Sequence, residues 1–280
     1  MTFISYSQNF EDIMLWRALN HVEKGFYVDV GAGWPEIDSV TKAFYDRGWR
    51  GINVDPNPAY HDQLRANRPE DVNLCVAVSD APGTTEINIV NEPGLSTLDA
   101  TIAKEHESKG WKVSRIPATV LTLETIWTQY VGRRDVHFLK VDVEGFEQQV
   151  LSGKVWSGYR PWIVVVEAVR PTSRAESHES WEPILLRADY SFAYADGLNR
   201  FYVAQEHSEL IPSFTYPPNV FDDFTLHGHC ESSVLSRLNA AEVRARNAES
   251  QLEAILHSSS WRVTRPLRWL RTLLGPVLQK

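Results

Sequence analysis

Five short runs dense in Val and Ile, at 26–30, 51–54, 72–78, 136–141 and 162–166, recur along the first part of the chain without polar alternation. A strand with one wet face alternates polar and apolar residues, whereas a strand covered on both faces does not. Segments 39–47, 59–67, 123–130 and 145–153 lie between these runs and suit crossover helices. Such alternation predicts an α/β fold built on a mostly parallel, doubly wound sheet. Two later β-rich runs, 192–194 and 201–204, flank an Asp196-Gly197 turn and predict an antiparallel hairpin closing one sheet edge.

The 280 residues suffice for one large α/β body with a remainder. That body is expected over 1–215, with 84–90 and 113–119 forming a small hairpin and 91–112 a flap. A linker is expected at 216–230, after which the globular pattern fades. From Val234 the apolar positions are Val234, Leu238, Ala241, Ala245, Ala248, Leu252 and Ile255, a 4-3 seam that predicts an amphipathic helix or coiled coil over 231–257. The segment 258–280 is basic and aromatic, with Pro266 suited to open a short helix.

The net charge of −8 lacks the basic footprint of a nucleic-acid binder, and no nucleic-acid partner is expected. Residues 257–280 carry four Arg, one Lys and no acid, so the tail has a partner preference of its own. Trp261, Trp269 and the interleaved arginines fit an anionic membrane surface or an acidic partner helix, and equally a plain solvated helix. Segment 231–257 is a candidate for self-association. Cys75 and Cys230 form no ligand pattern, and neither a leader nor a spanning run is visible. The expected setting is cytoplasmic, with peripheral contact at the inner face of the membrane through the tail.

Four of the predicted strands run into carboxylates at their C-terminal ends: Asp29, Asp55, Asp142 with Glu144, and Glu167. In an open parallel sheet those ends line the ligand crevice. Several acids along one edge are awkward electrostatically unless something cationic or hydroxyl-rich binds there. S-adenosylmethionine offers a ribose diol, an ammonium and a sulfonium. Gly31, Ala32 and Gly33 would let backbone approach such a ligand, Asp55 with Pro56 would grip the ribose, and Asp29 would orient the glycine turn or the ammonium. Ala77, Val78 and Ser79 would lie against the adenine. Each acid has a plainer role as a cap or turn former.

A nicotinamide dinucleotide would want a third glycine where Gly31-Ala32-Gly33-Trp34-Pro35-Glu36 carries an acid, beside a pyrophosphate. An NAD-dependent dehydrogenase therefore ranks second, and a non-catalytic subunit of a polysaccharide-assembly complex third.

Tyr6-Ser7-Gln8-Asn9-Phe10-Glu11-Asp12, Tyr27 to Gly33, Leu139-Lys140-Val141-Asp142-Val143-Glu144-Gly145-Phe146-Glu147 and Val165-Val166-Glu167 together resemble FkbM-family methyltransferases over about residues 3–206. The resemblance implies a class I, Rossmann-like methyltransferase fold and O-methylation, commonly of sugars or polyketide hydroxyls. It also implies that Gln8, Glu11 and Asp12 fold back over the cofactor; the alternative is a helix start with Ser7 as cap. The run from Ser258 to Leu270 is similar to C-terminal segments on bacterial enzymes that build cell-surface polysaccharides, which turns the expected acceptor toward a glycan or glycolipid.

Asp142 and Glu144 leave one strand two residues apart, where a general base or a metal ligand is needed. Glu167 would complete an oxygen-liganded divalent site, for which Mg²⁺ is the candidate. Helix-start chemistry is the plainer role for Glu144. His137 is expected to pack, His178 to be a solvated loop residue, and Asp196 and Asn199 to be turn formers within reach of the acceptor.

Overall fold

A computed structural model of the chain describes residues 2–90, 96–158, 160–228 and 234–258, with Trp261, Val263 and Thr264. The chain divides into two units, Met1–Ser232 and Ser233–Lys280. The first unit opens with β1 (Phe3–Ser5), α1 (Glu11–Leu19), β2 (Phe26–Val30), α2 (Lys42–Asp46), β3 (Arg50–Val54), α3 (Pro58–Asn67) and β4 (Val72–Leu74). It continues through β5 (Ala77–Val78), β6 (Gly83–Val90), α4 (Ala100–Ser108), β7 (Val113–Leu121), α5 (Leu123–Ile126), β8 (Phe138–Val141) and α6 (Glu147–Ser152). It closes with β9 (Ile163–Glu167), α7 (Glu182–Arg187), β10 (Tyr190–Ala195), β11 (Asn199–Ala204) and β12 (Phe224–Leu226). The second unit contributes α8 (Val234–His257).

The central sheet has the order β10-β11-β9-β8-β2-β3-β4. β4, β3, β2, β8 and β9 run parallel, and β11 is antiparallel to both of its neighbours. The edge hairpin is as expected, with its second strand tucked inside the sheet against β9. The missing alternation has its cause in two covered faces. Val28, Val30, Ile52, Val54, Leu139 and Val141 pack with Leu123, Trp127, Val150 and Trp181 on one side. Tyr27, Phe138, Ile163 and Val165 pack with Met14, Leu15, Phe44 and Trp49 on the other.

Strand order reverses between β2 and β8, the switch point where a crevice opens at the C-terminal ends. Position 29 of β2 pairs in register with Lys140 of β8 and Asn53 of β3. Three polar side chains therefore share one face there, just below that crevice.

Several expected elements differ in extent. The single run 72–78 is two strands: β4 pairs with β3, while β5 pairs with β7 of a separate three-stranded sheet. β3 ends at Val54, so the chain beyond Leu74 has lost its neighbour and moves to another. The helix expected over 39–47 is confined to α2, because Ser39 and Thr41 bond buried Arg68 instead. The helix over 145–153 begins only at Glu147, since Glu144 (φ 53°) and Gly145 (φ 97°) form a left-handed turn. Segment 123–130 begins as α5 and widens into a π-helical turn over Trp127–Val131.

Ser7 is not the cap of α1: Phe10 stands there in a left-handed conformation, and the Ser7 hydroxyl donates to Asp12 Oδ1 (2.7 Å). The expected linker also folds. β12 pairs with β1 in parallel, and Arg17 donates to Asp222 and to the carbonyls of Ser213, Tyr216 and Pro217. β6 and β7 form the expected hairpin, with α4 between them. Positions 91–95 of the flap, Cys230 and almost all of the basic tail lie outside the described residues. Among the described residues, no helix is long and apolar enough to cross a membrane.

Candidate active site

A cavity of about 750 Å³ opens at the switch point. Its first wall is the turn after β2. Gly31 and Ala32 donate to the Val54 carbonyl at 2.9 and 3.2 Å, which extends β2–β3 pairing into the turn. A Cβ on Gly31 would lie 1.7 Å from the Asp142 carbonyl oxygen, so only glycine allows β8 to pass this close. Gly33 donates its N–H to Asp55 Oδ2 (2.9 Å), and Asn57 donates to Oδ1 (2.8 Å). Asp55 thus shapes two turns while also lining the cavity. Burial raises its pKa to about 6, against the pull of those two N–H groups.

Trp34 and Tyr60, with ring centres 4.9 Å apart, stand beside Pro56, Val76, Ala77 and Val78 and form an apolar slot next to Asp55. The loop carrying Trp34 is held from below. Buried Arg68 donates to Thr41 Oγ1 (2.6 Å), Ser39 Oγ (2.5 Å) and the Pro35 carbonyl, and the Thr41 hydroxyl donates onward to Asp29 Oδ2 (2.9 Å). Asp29 itself is fully buried and does not line the cavity; it organises the wall.

The opposite wall is acidic. Asp142, Glu144 and Glu167 each offer a carboxylate oxygen within 4.8 Å of the others. Oε2 of Glu144 and of Glu167 are buried and have no hydrogen-bond partner among the described residues. Burial, then the charges of Asp142 and Glu147, pushes Glu144 up to about 9. Glu167 is raised well above the ordinary carboxylate range, again by burial first and then by Asp142 and Glu144. Glu147 fixes the turn: its Oε1 accepts from Gly145 N (3.0 Å) and Val143 N (3.2 Å). The flap grips the same turn, the Thr97 hydroxyl donating to the Glu144 carbonyl (2.8 Å).

Lys140 joins the two walls. Its ammonium lies 3.1 Å from Asp142 Oδ2 and 3.8 Å from Asp29 Oδ1, and donates to the Gly31 carbonyl (3.3 Å). Burial opposes its charge, but Asp142 and Asp29 outweigh that and raise its pKa. Its signal in the sequence is a lysine inside a run otherwise buried and apolar.

The cavity therefore brings together Gln8, Gly31, Ala32, Gly33, Asp55, Pro56, Ala77, Val78, Asp142, Glu144 and Glu167. Besides Asp29, three expected residues lie outside it. Glu11 Oε1 accepts from Asn199 Nδ2 (2.8 Å) and its Oε2 from Asn9 N (2.9 Å). Asp12 accepts from Ser5, Tyr6 and Ser7 and folds the N-terminal segment. The Ser79 hydroxyl donates to Asp80 Oδ1 (3.1 Å) and its N–H to the Leu121 carbonyl of the small sheet (3.0 Å). The hairpin turn reaches the cavity through Leu198 and not through Asp196 or Asn199. His178 meets Glu176 and Glu182, and His137 accepts from Phe26 N (3.0 Å) and packs on Trp49 and Trp162.

The turn after Gly33 does not lead into a helix; α2 starts only at Lys42 and Glu36 is exposed. The helix N-terminus that would hold a dinucleotide pyrophosphate is missing behind the glycines. Comparison with protein-family models matches residues 29–192 to the methyltransferase FkbM domain. No curated protein matches the chain. The matched span covers more than half of the chain and runs from the acid of β2, past the Lys140–Asp142–Glu144 turn and Glu167, into β10. The chain belongs to the FkbM methyltransferase family.

Proposed function

We propose that this methyltransferase uses S-adenosylmethionine and methylates a hydroxyl oxygen on a sugar of a surface glycan or glycolipid. The observation that carries the proposal is the pairing of walls in one cavity: the glycine turn with Asp55 on one side, three converging carboxylates on the other. The residues present fit the cofactor. Asp55 retains lone pairs for a ribose diol, the slot of Trp34, Tyr60, Pro56, Ala77 and Val78 suits a flat purine, and Gly31–Gly33 admit the amino-acid end. When bound, S-adenosylmethionine supplies a methyl group already activated by its sulfonium.

The protein's work is then alignment and proton removal. A neutral sugar hydroxyl is a poor nucleophile. Asp142 stands at the junction of the walls with Lys140 beside it, placed to accept the hydroxyl proton. Orphaned oxygens on Glu144 and Glu167 suit an oxygen-liganded divalent cation such as Mg²⁺, which would polarise the acceptor oxygen. Gln8 and the flap residues Thr97 and Leu98 border the remaining space.

The second unit has a separate role in this reading. Leu252 and Ile255, three residues apart on the apolar seam of α8, are exposed, which supports pairing with a second copy or a partner helix. The basic tail recruits the enzyme to an anionic surface. Removing residues 231–280 is expected to spare methyl transfer to a small acceptor while abolishing recruitment. Mass spectrometry of surface glycans from cells with and without the protein tests the activity. The proposal expects loss of a methyl increment (~14 Da) from one sugar; identical glycans would contradict it.

A further inference from the structure

The cavity changes sign toward one side. Its floor is acidic, yet Arg170 and Arg174 also line it, on the loop that follows Glu167. Arg170 is three residues beyond Glu167, so their Cα atoms are at most about 11 Å apart even in extended chain. Both arginines are exposed, and neither guanidinium has a hydrogen-bond or ion-pair partner among the described residues. The chain holds 36 acids against 28 lysines and arginines, so carboxylates for pairing are plentiful. Two forks without partners at a cavity rim are available to a ligand.

The loop that presents them is built, not slack. Ser177 N donates to the Ala168 carbonyl (2.8 Å), Arg170 N to the Ala175 carbonyl (2.8 Å) and Ser173 N to the Arg170 carbonyl (3.0 Å). Val169 and Glu176 form an antiparallel bridge that ties the two arms of the loop together. Thr172 takes a left-handed conformation at the tip, and Lys109 Nζ donates to its hydroxyl (2.8 Å), adding a third positive charge. The result is a short, braced turn holding cations beside an acidic reaction centre.

Arginine forks match carboxylate and phosphate oxygens alike. We propose that Arg170 and Arg174 form an oxyanion subsite for the acceptor, so that the sugar methylated here carries a phosphate or a carboxylate. The proposal rests on the methyl-transfer reading and deepens it by naming the acceptor's charge. The acidic floor then takes the reacting hydroxyl, and the arginine turn sets which hydroxyl arrives there by fixing the anion at a distance.

The test titrates the full chain, loaded with S-adenosylhomocysteine, with glucose 1-phosphate, glucuronic acid and glucose. At least one anionic sugar is expected to bind about tenfold or more tighter than glucose, one decade of dissociation constant. Which one does so separates a phosphate from a carboxylate source. In the R170Q/R174Q variant that advantage is expected to vanish while S-adenosylhomocysteine still binds as in the wild type. Equal binding of the three sugars, no binding of either anion at millimolar concentration, or an advantage that survives in the variant would overturn the subsite. Loss of S-adenosylhomocysteine from the variant alone would also overturn it, by giving the arginines to the cofactor. Failure of the wild type to bind S-adenosylhomocysteine would instead remove the methyl-transfer reading on which the subsite depends.

Discussion

Lys140 Nζ lies 3.1 Å from Asp142 Oδ2 and 3.8 Å from Asp29 Oδ1, so one buried cation links an acid inside the cavity to an acid beneath it. Removing that cation leaves Asp29 buried with the Thr41 hydroxyl as its remaining donor. Breaking a buried pair in this way costs about 3–5 kcal/mol. Lys140→Met is expected to lose that much in urea denaturation, and the Asp29→Asn/Lys140→Met pair to recover part of it. A loss below about 1 kcal/mol would mean that the ion pair organises nothing.

The two glycines of the turn should respond differently to alanine. At Gly31 the new Cβ would meet the Asp142 carbonyl at 1.7 Å, whereas at Gly33 it would meet nothing within 4 Å. Gly33→Ala is therefore expected to cost only the left-handed strain of about 1–2 kcal/mol. Gly31→Ala must push β2 and β8 apart and should melt far lower and lose methyl transfer. Equal melting temperatures would contradict the close approach.

Glu11 gives the chain a pH-dependent stability. Burial first, then Asp196, raises it from its ordinary 4.5 to about 7. Between those values the folded state holds a proton that the unfolded chain has released, so stability falls as pH rises from 4.5 through 7. Glu11→Gln is expected to remove this part of the slope, gaining relative to wild type by up to on the order of 3 kcal/mol at pH 8 and nothing at pH 4. Parallel stability curves for the two proteins would contradict the assignment.

Arg17 fastens the segment that leads out of the first unit, through paired bonds to Asp222 (2.7 Å each) and three main-chain carbonyls. Arg17→Ala is expected to cost about 2–3 kcal/mol and to speed proteolytic cutting within 213–226. Arg17→Lys cannot reproduce the fork and should rescue little. Unchanged cutting rates would show that β12 alone holds the segment.

The sheet and its acid-bearing edge were legible because both depend on local rules: buried strands lack alternation, and strand ends line the crevice. Asp142, Glu144 and Glu167 followed from that alone. What escaped is long-range. Nothing local in 72–78 tells that its two halves join different sheets, since the break depends on where β3 ends. Ser39 and Thr41 look like ordinary helix residues, and only their bonds to buried Arg68, which also holds the Pro35 carbonyl, make them supports of the wall. Glu11 and Asp12 resemble site acids in sequence but spend their oxygens on Asn199 and on Ser5 to Ser7. Lys140 was visible in the family motif, yet its role rests on a cross-strand register that spans more than a hundred residues.

Whether the Gly31–Asp55 wall holds S-adenosylmethionine is decided by calorimetric titration. One-site binding is expected for the wild type, binding about tenfold or more weaker for a folded Asp55→Asn variant, and no heat with NAD. Absence of S-adenosylmethionine binding, or equal affinity in Asp55→Asn, would contradict that role of the wall.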